Sequence, residues 1–406
     1  MADPRQRRFL WLYPAANIGA YLAFLPLLTV ILPLRAEALA GTDKVALLSE
    51  ALFAGVLVAT VANIAAGMAS DWSRRRFGTR LPWLWIGLAG TWISYALIAL
   101  APGALSLGIA MMLFQFGFNT LFGPMTALFA DKVPDRLKGR TSAFANLALP
   151  VASLGSALIG LPMLGSDGAR LLLLGLIVGL LILPLLLFWP RGLADVEDDA
   201  ADAPDATSLT LHRWAAFRSL WLAKFLVQLS GNVVTSYFLF YLKDGIQGGG
   251  PFPGSRVPIG FAWIVGVATV VSAAAGIAVG RWSDRTGRRR PFLLAAVAIM
   301  ACAMLVMMLR GDWTSALIGY TLFMTGLGSF LTIDVALVAQ ILPSERHRGR
   351  DLGVMNAANT LPAVLGPVVA YAVLHGSAND YATLFLVLLV ALAGSALTLT
   401  LSASLR

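Results

Sequence analysis

The sequence predicts an all-α membrane protein: twelve transmembrane helices in two pseudo-symmetric six-helix halves. Three observations carry that prediction. Of the 406 residues, 58% are apolar or aromatic and only 13% are charged, with a mean hydropathy of +0.78. A soluble domain carries about 25% charged residues, so an ordinary soluble enzyme or binding module is excluded. The apolar residues also gather into runs long enough to cross a bilayer, which takes about 20 residues. Finally, two motifs recur half a chain apart.

The elements follow in order. Met1 to Arg8 is short and basic. The apolar run after it is too long for a signal peptide and lacks a small-residue cleavage site, so it is expected to stay as the first span. Twelve runs are expected near 11–34, 45–69, 82–101, 106–130, 141–162, 170–189, 219–242, 258–280, 291–309, 314–341, 351–374 and 382–402. They are continuous and do not alternate apolar with polar, which argues for helices and against a barrel. Between the sixth and seventh runs lies a polar stretch with Asp195, Glu197, Asp198, Asp199, Asp202 and Asp205 among Ala and Pro. It reads as a cytoplasmic linker. The expected domains are a first half 1–190, an acidic linker 191–217 and a second half 218–406.

Basic residues set the orientation. One alternate set of loops and ends holds 23 of the 30 Lys and Arg residues; the other holds six, and Lys224 lies within a span. Both termini are therefore expected in the cytoplasm. The same asymmetry accounts for the formal charge of +9 without a nucleic-acid partner. The single Cys302 excludes an intrachain disulfide and a cysteine metal cluster. No P-loop or His-Glu-x-x-His element occurs, and His212, His347 and His375 are scattered. The expectation is no enzyme, no cofactor and no metal.

The halves repeat. Gly67 to Trp83, with Ser70-Asp71, Arg74-Arg75-Arg76, Gly78 and Arg80, aligns with Gly280 to Phe292, which holds Ser283-Asp284-Arg285 and Gly287-Arg288-Arg289-Arg290. Pro134 through Lys138-Gly139-Arg140 to Asn146 aligns with Pro343 through Arg348-Gly349-Arg350 to Asn356. Offsets lie between 209 and 213 residues. Repeats of this kind mark two-half transporters.

The loop after the second span of each half resembles the signature loop of the major facilitator superfamily. That resemblance covers the whole chain and implies the major facilitator fold and alternating access. Asp71 to Trp83 is similar to the glycoside–pentoside–hexuronide cation symporters. Ser283 to Phe292, and Asn119 to Asp131 around Gly123-Pro124, are similar to the sucrose-transporter branch. Two positions depart from that branch: Gln115 stands where it carries an acid, and Thr126 where it carries an arginine. The resemblance implies a multi-pass protein of the bacterial inner membrane, a likely-sized monomer unit among membrane lipids, and proton-coupled symport of a neutral sugar or glycoside. Proton-driven efflux of a hydrophobic molecule, and a non-transporting relative in pigment delivery or complex assembly, remain as alternatives.

A transporter of this type needs a cytoplasmic latch. Asp71 and Asp284 are expected to face helix N-termini of the opposite half, near 351 and 141. Arg80, Asp131, Arg140, Arg285, Arg288 and Arg350 complete the expected gating set; the other reading is that the arginines only fix topology. Charge inside the membrane is costly and usually functional. Asp334 and Lys224 each lie roughly 10 Å deep from the same side, at 1.5 Å per residue. They are expected to pair, with a proton on Asp334 coupled to transport. The competing reading has Lys224 snorkel and Asp334 cap locally. Glu50 is a weaker candidate that Arg35 would neutralise.

The first, fourth and seventh spans, which the resemblance places around the cavity, carry Asn17 and Tyr21, Gln115 and Asn119, and Gln228 and Asn232, each pair at i and i+4. Tyr237, Tyr241 and Asn359 join them as substrate-binding candidates. Amides beside aromatic faces suit a polyhydroxylated ligand; they also suit plain bonding between helices.

Overall fold

The chain is seen in a computed structural model that describes residues 4–133, 141, 147–189, 210–246, 256–341, 348–375 and 380–402. Two compact units divide it, Met1–Ala200 and Ala201–Arg406. The helices of the first are α1 (Pro4–Pro26), α2 (Leu32–Ala40), α3 (Lys44–Phe77), α4 (Leu81–Leu100), α5 (Ala104–Lys132), α6 (Ala148–Ile159) and α7 (Asp167–Leu187). Those of the second are α8 (Thr210–Phe240), α9 (Val257–Thr286), α10 (Arg290–Arg310), α11 (Trp313–Ile341), α12 (Arg348–Leu374) and α13 (Tyr381–Leu401).

Ten stretches among the described residues are long and apolar enough to cross a membrane. The first of them, Pro4–Phe77, turns back at Gly41–Asp43 and so holds two crossings, and α6 is a shorter apolar helix. The result agrees with twelve spans. This is an all-α, multi-pass membrane protein, and its architecture is the major facilitator fold.

Several boundaries differ from expectation. The first span begins at Pro4 and runs on to Ala40, because Met1 to Arg8 includes no breaker beyond Pro4 itself, which suits a helix start. The stretch assigned to the linker ends early: α8 starts at Thr210. Ala216 and Phe217 are buried there, so the helix gains core contacts before the membrane-spanning part begins. The acidic residues 195–205 lie outside the described residues.

The two units repeat each other's internal packing. In the first, α4 packs on α5 and α7, α3 on α5, and α1 on α6 and α7. In the second, α10 packs on α11 and α13, α9 on α11, and α8 on α12 and α13. Span for span these are the same pairs. Small residues make the tightest crossings possible. A Cβ on Gly87 of α4 would come within 2.3 Å of the Leu121 backbone of α5. In the second unit a Cβ on Gly326 of α11 would meet the Ala296 carbonyl of α10 at 2.7 Å. Each first span also carries a π turn, Leu27–Ile31 and Tyr241–Gly245, whose starts are 214 residues apart.

Candidate functional site

In the second unit, α8 lays Lys224, Gln228 and Asn232 along one face. Lys224 Nζ donates to Asp334 Oδ2 of α11 at 2.6 Å. Asp334 is 1% exposed and Lys224 7%. Water is thus kept from a pair whose separation would leave a charge stranded in a low dielectric. The lysine does not snorkel and the aspartate does not cap a helix. Asp334 Oδ1 is buried and has no hydrogen-bond partner among the described residues.

One helical turn further along α8, Gln228 Nε2 donates to Asn359 Oδ1 of α12 at 3.0 Å, and Asn232 Nδ2 donates to the Gln228 carbonyl at 2.8 Å. The indole of Trp221 donates to the Val354 carbonyl at 2.8 Å, binding α8 to α12 on the near side of the pair. Tyr237 and Tyr241 sit elsewhere. Both are buried, and the Tyr241 hydroxyl donates to the Met307 carbonyl while its ring stands edge-on to Phe385 at 4.9 Å. Tyr241 thus packs within its own unit, because the π turn directs it there.

The first unit holds a second set of amides. Asn63 Nδ2 of α3 donates to Asn119 Oδ1 at 3.2 Å, and Asn119 Nδ2 donates to the Gln115 carbonyl at 2.8 Å and its Oε1 at 3.3 Å. Sequence reading passed over Asn63; a lone amide in an apolar span eight residues before Asp71 was the available signal. Asn17 is buried, and Tyr21 stands edge-on to Phe122. Phe114, Phe118 and Phe122 stack in sequence along α5, with Phe24 lying against the first two. This aromatic column was also passed over, although its i, i+4, i+8 spacing was visible.

At the end of the unit where α3, α4 and α5 meet, Arg80 is a hub. Its Nε donates to Asp131 Oδ2 at 2.8 Å, and its Nη1 lies 2.6 Å from Asp71 and 2.7 Å from Ser70 Oγ. Arg74 reaches the other Asp131 oxygen at 2.8 Å. Burial works against the Arg80 charge, yet the bonds and charges of Asp131 and Asp71 outweigh it and hold its pKa above the ordinary guanidinium value. The repeat returns here as chemistry: Arg289 Nη1 donates to Ser283 Oγ at 3.0 Å, as Arg80 does to Ser70. Both helices stop on a left-handed glycine, Gly78 and Gly287. Arg285 and Arg288 are exposed. Arg140, and the side chains of Asp284 and Arg350, lie outside the described residues.

One expected pairing is corrected. Arg35 does not neutralise Glu50, which is exposed. Arg35 instead donates to the Ala101 carbonyl at 2.7 Å and lies 4.0 Å from Asp167, a carboxylate it shares with Arg170. The turn at Gly41–Asp43 separates Arg35 from α3 and faces it to the ends of α4 and α7.

Known proteins share these features. Residues 220–404 match the family described as Major Facilitator Superfamily. The "Acurin A biosynthesis cluster MFS-type transporter" of Aspergillus aculeatus is 28% identical over 159 residues, 39% of this chain and 26% of that protein. The "Probable 4-methylmuconolactone transporter" of Cupriavidus pinatubonensis is 35% identical over 104 residues, 26% of this chain and 24% of that protein. The matched stretches therefore span about a quarter of the length of these relatives. The inward-facing, occupied structure of a bacterial homolog of the human lysosomal transporter Spinster aligns with a TM-score of 0.71 at 15% identity, over 100% of this chain and 98% of that one. A POT family transporter in complex with 5-aminolevulinic acid aligns with a TM-score of 0.74 at 11% identity, over 98% and 97%. At these identities the structural likeness is one of fold. Together the matches support the major facilitator superfamily.

Proposed function

We propose that the chain is a secondary active transporter of the major facilitator superfamily, moving a small polar organic molecule by alternating access with a proton carried on Asp334. The carrying observation is the buried pair Lys224–Asp334, on spans that the resemblance places at the cavity. An intramembrane acid beside a lysine is what proton coupling requires and what lipid would otherwise select against. The named activities of the two curated relatives support transport of small organic molecules. A sugar or glycoside is the first substrate class to test, on the resemblance to the symporter branch and on the amides of both units. Those amides already bond to one another, so a sugar would have to displace contacts such as Gln228–Asn359.

The test is uptake of radiolabelled disaccharides and glycosides into proteoliposomes, with and without an inward proton gradient. Gradient-driven accumulation that Asp334→Asn abolishes is the expected result. Uptake that ignores both the gradient and the substitution, in folded protein, overturns proton coupling. A second reading, export of a hydrophobic molecule, is favoured by the relative from a biosynthesis cluster. It predicts proton movement in the opposite sense to substrate.

A further inference from the structure

We infer that the transported molecule carries an anionic group, a carboxylate or a comparable monoanion, which takes Asp334's place on Lys224 when Asp334 is protonated. This rests on the proton-coupling reading above and names its substrate class.

Charge balance carries the inference. In the observed state one ammonium faces one carboxylate at 2.6 Å, and both are buried. A proton arriving from solution on Asp334 makes the carboxyl neutral and leaves Lys224 as an uncompensated buried cation. Only two events relieve that. Lys224 can release its own proton, but then no net proton has been loaded and nothing is coupled. Otherwise an anion must arrive from outside, and a neutral sugar cannot supply it.

No nearby side chain stands in. Lys224 is the charge that acts on Asp334. By sequence, α11 holds no charged residue besides Asp334, α13 holds none, and α12 holds none beyond Asp351. On α10 the charges are Arg290 and Arg310 at the two ends, and on α9 they lie at Arg281 and beyond. On α8 the next charge toward the helix start is Arg218, which is basic.

The surroundings suit the exchange. Gln228 follows Lys224 by one turn, and its amide with that of Asn359 offers donors to a second carboxylate oxygen or a neighbouring hydroxyl. The unpartnered Asp334 Oδ1 is where the incoming proton would sit without breaking the bond that Oδ2 accepts. The inference also narrows the sugar reading: a glycoside that fits would be a uronide.

The experiment compares matched probes on the purified full chain: acetate with acetamide, benzoate with benzamide, and 4-nitrophenyl β-glucuronide with the β-glucoside. Asp334→Asn copies the protonated carboxyl, and thermal unfolding reads binding. At pH 8 the carboxylates should stabilise Asp334→Asn and leave the wild type unmoved. Apparent affinity should exceed that of the neutral partner by roughly tenfold or more. Lys224→Met/Asp334→Asn should lose the effect. Should Asp334→Asn fail to fold, the wild type at pH 5 against pH 8 gives the same comparison, with carboxylate binding gained on acidification. Equal binding of charged and neutral probes, or carboxylate binding that survives loss of Lys224, overturns the inference. Gradient-driven uptake of a neutral glycoside that depends on Asp334 overturns it too, while leaving proton coupling standing. Absence of any Asp334-dependent proton movement, with carboxylates still bound at Lys224, would instead remove the coupling.

Discussion

Lys224 and Asp334, 110 residues apart in the chain, meet at 2.6 Å with almost no exposed surface on either. Attraction and desolvation nearly cancel in such a pair, so breaking it matters more than having it. Asp334→Asn alone should cost about 3–5 kcal/mol, while Lys224→Met/Asp334→Leu should return close to wild-type stability. Thermal unfolding of both variants in one detergent checks this; equal losses would place the cost in packing.

The Arg80 hub ranks its two acids. Asp71 is half exposed on its side chain, 53%, whereas Asp131 is 11% exposed. Solvent screens the first contact, which should be worth under about 1 kcal/mol. Asp131→Asn leaves Arg80 and Arg74 short of their common partner and should cost roughly 2–4 kcal/mol. Arg80→Lys keeps the charge but cannot serve Asp131, Asp71 and Ser70 from one planar group, and should sit nearer Asp131→Asn than wild type. Unfolding midpoints of the three variants give the order.

Close helix crossing makes glycine substitutions diverge within α5. Gly117→Ala would press a Cβ within 2.7 Å of the Gly90 carbonyl carbon, against backbone that cannot yield. It should cost about 1–3 kcal/mol or more. Gly108→Ala meets nothing within 4 Å and should gain about 0.5–1 kcal/mol from reduced chain freedom. Opposite signs from the same substitution on one helix are the expected outcome, read by thermal denaturation.

Acid should loosen the start of α13. The Thr383 side chain and the Thr383 amide, the latter at 3.0 Å, hold the Asp380 carboxyl below its ordinary value. Its stabilising contribution is therefore full above the unfolded-state pKa and fades as pH falls through the lower folded-state value. Amide exchange in Tyr381–Thr383 should quicken on acidification, and Asp380→Ala should remove that pH dependence. Unchanged exchange across the acid range would show that the cap does not hold the helix.

Much of this was legible beforehand. Twelve apolar runs and a repeated Ser-Asp loop suffice for the fold, because lipid leaves helices as the only open-ended way to satisfy the backbone. The depth of Lys224 and Asp334 was readable too, since both counts run from the same helix ends. Partner choice was not. Arg35 went to Ala101 and Asp167 because a turn at Gly41 intervenes, and hydropathy carries no trace of that turn. Tyr237 and Tyr241 shared a polar stripe with Lys224 on an ideal wheel, yet Tyr241 opens a π turn and its hydroxyl reaches Met307.

Those π turns have a consequence for how the sequence can change. A five-residue turn of this kind amounts to one inserted residue in an otherwise regular helix. Deleting a single residue from Leu27–Ile31 would let the helix wind evenly and swing everything beyond it through about 100°. Arg35 would then leave Ala101 and Asp167, although its own codon and all its neighbours were untouched. In the first span, length is therefore information: the distal segment is addressed by counting residues, and a conservative substitution there is safer than any change in number.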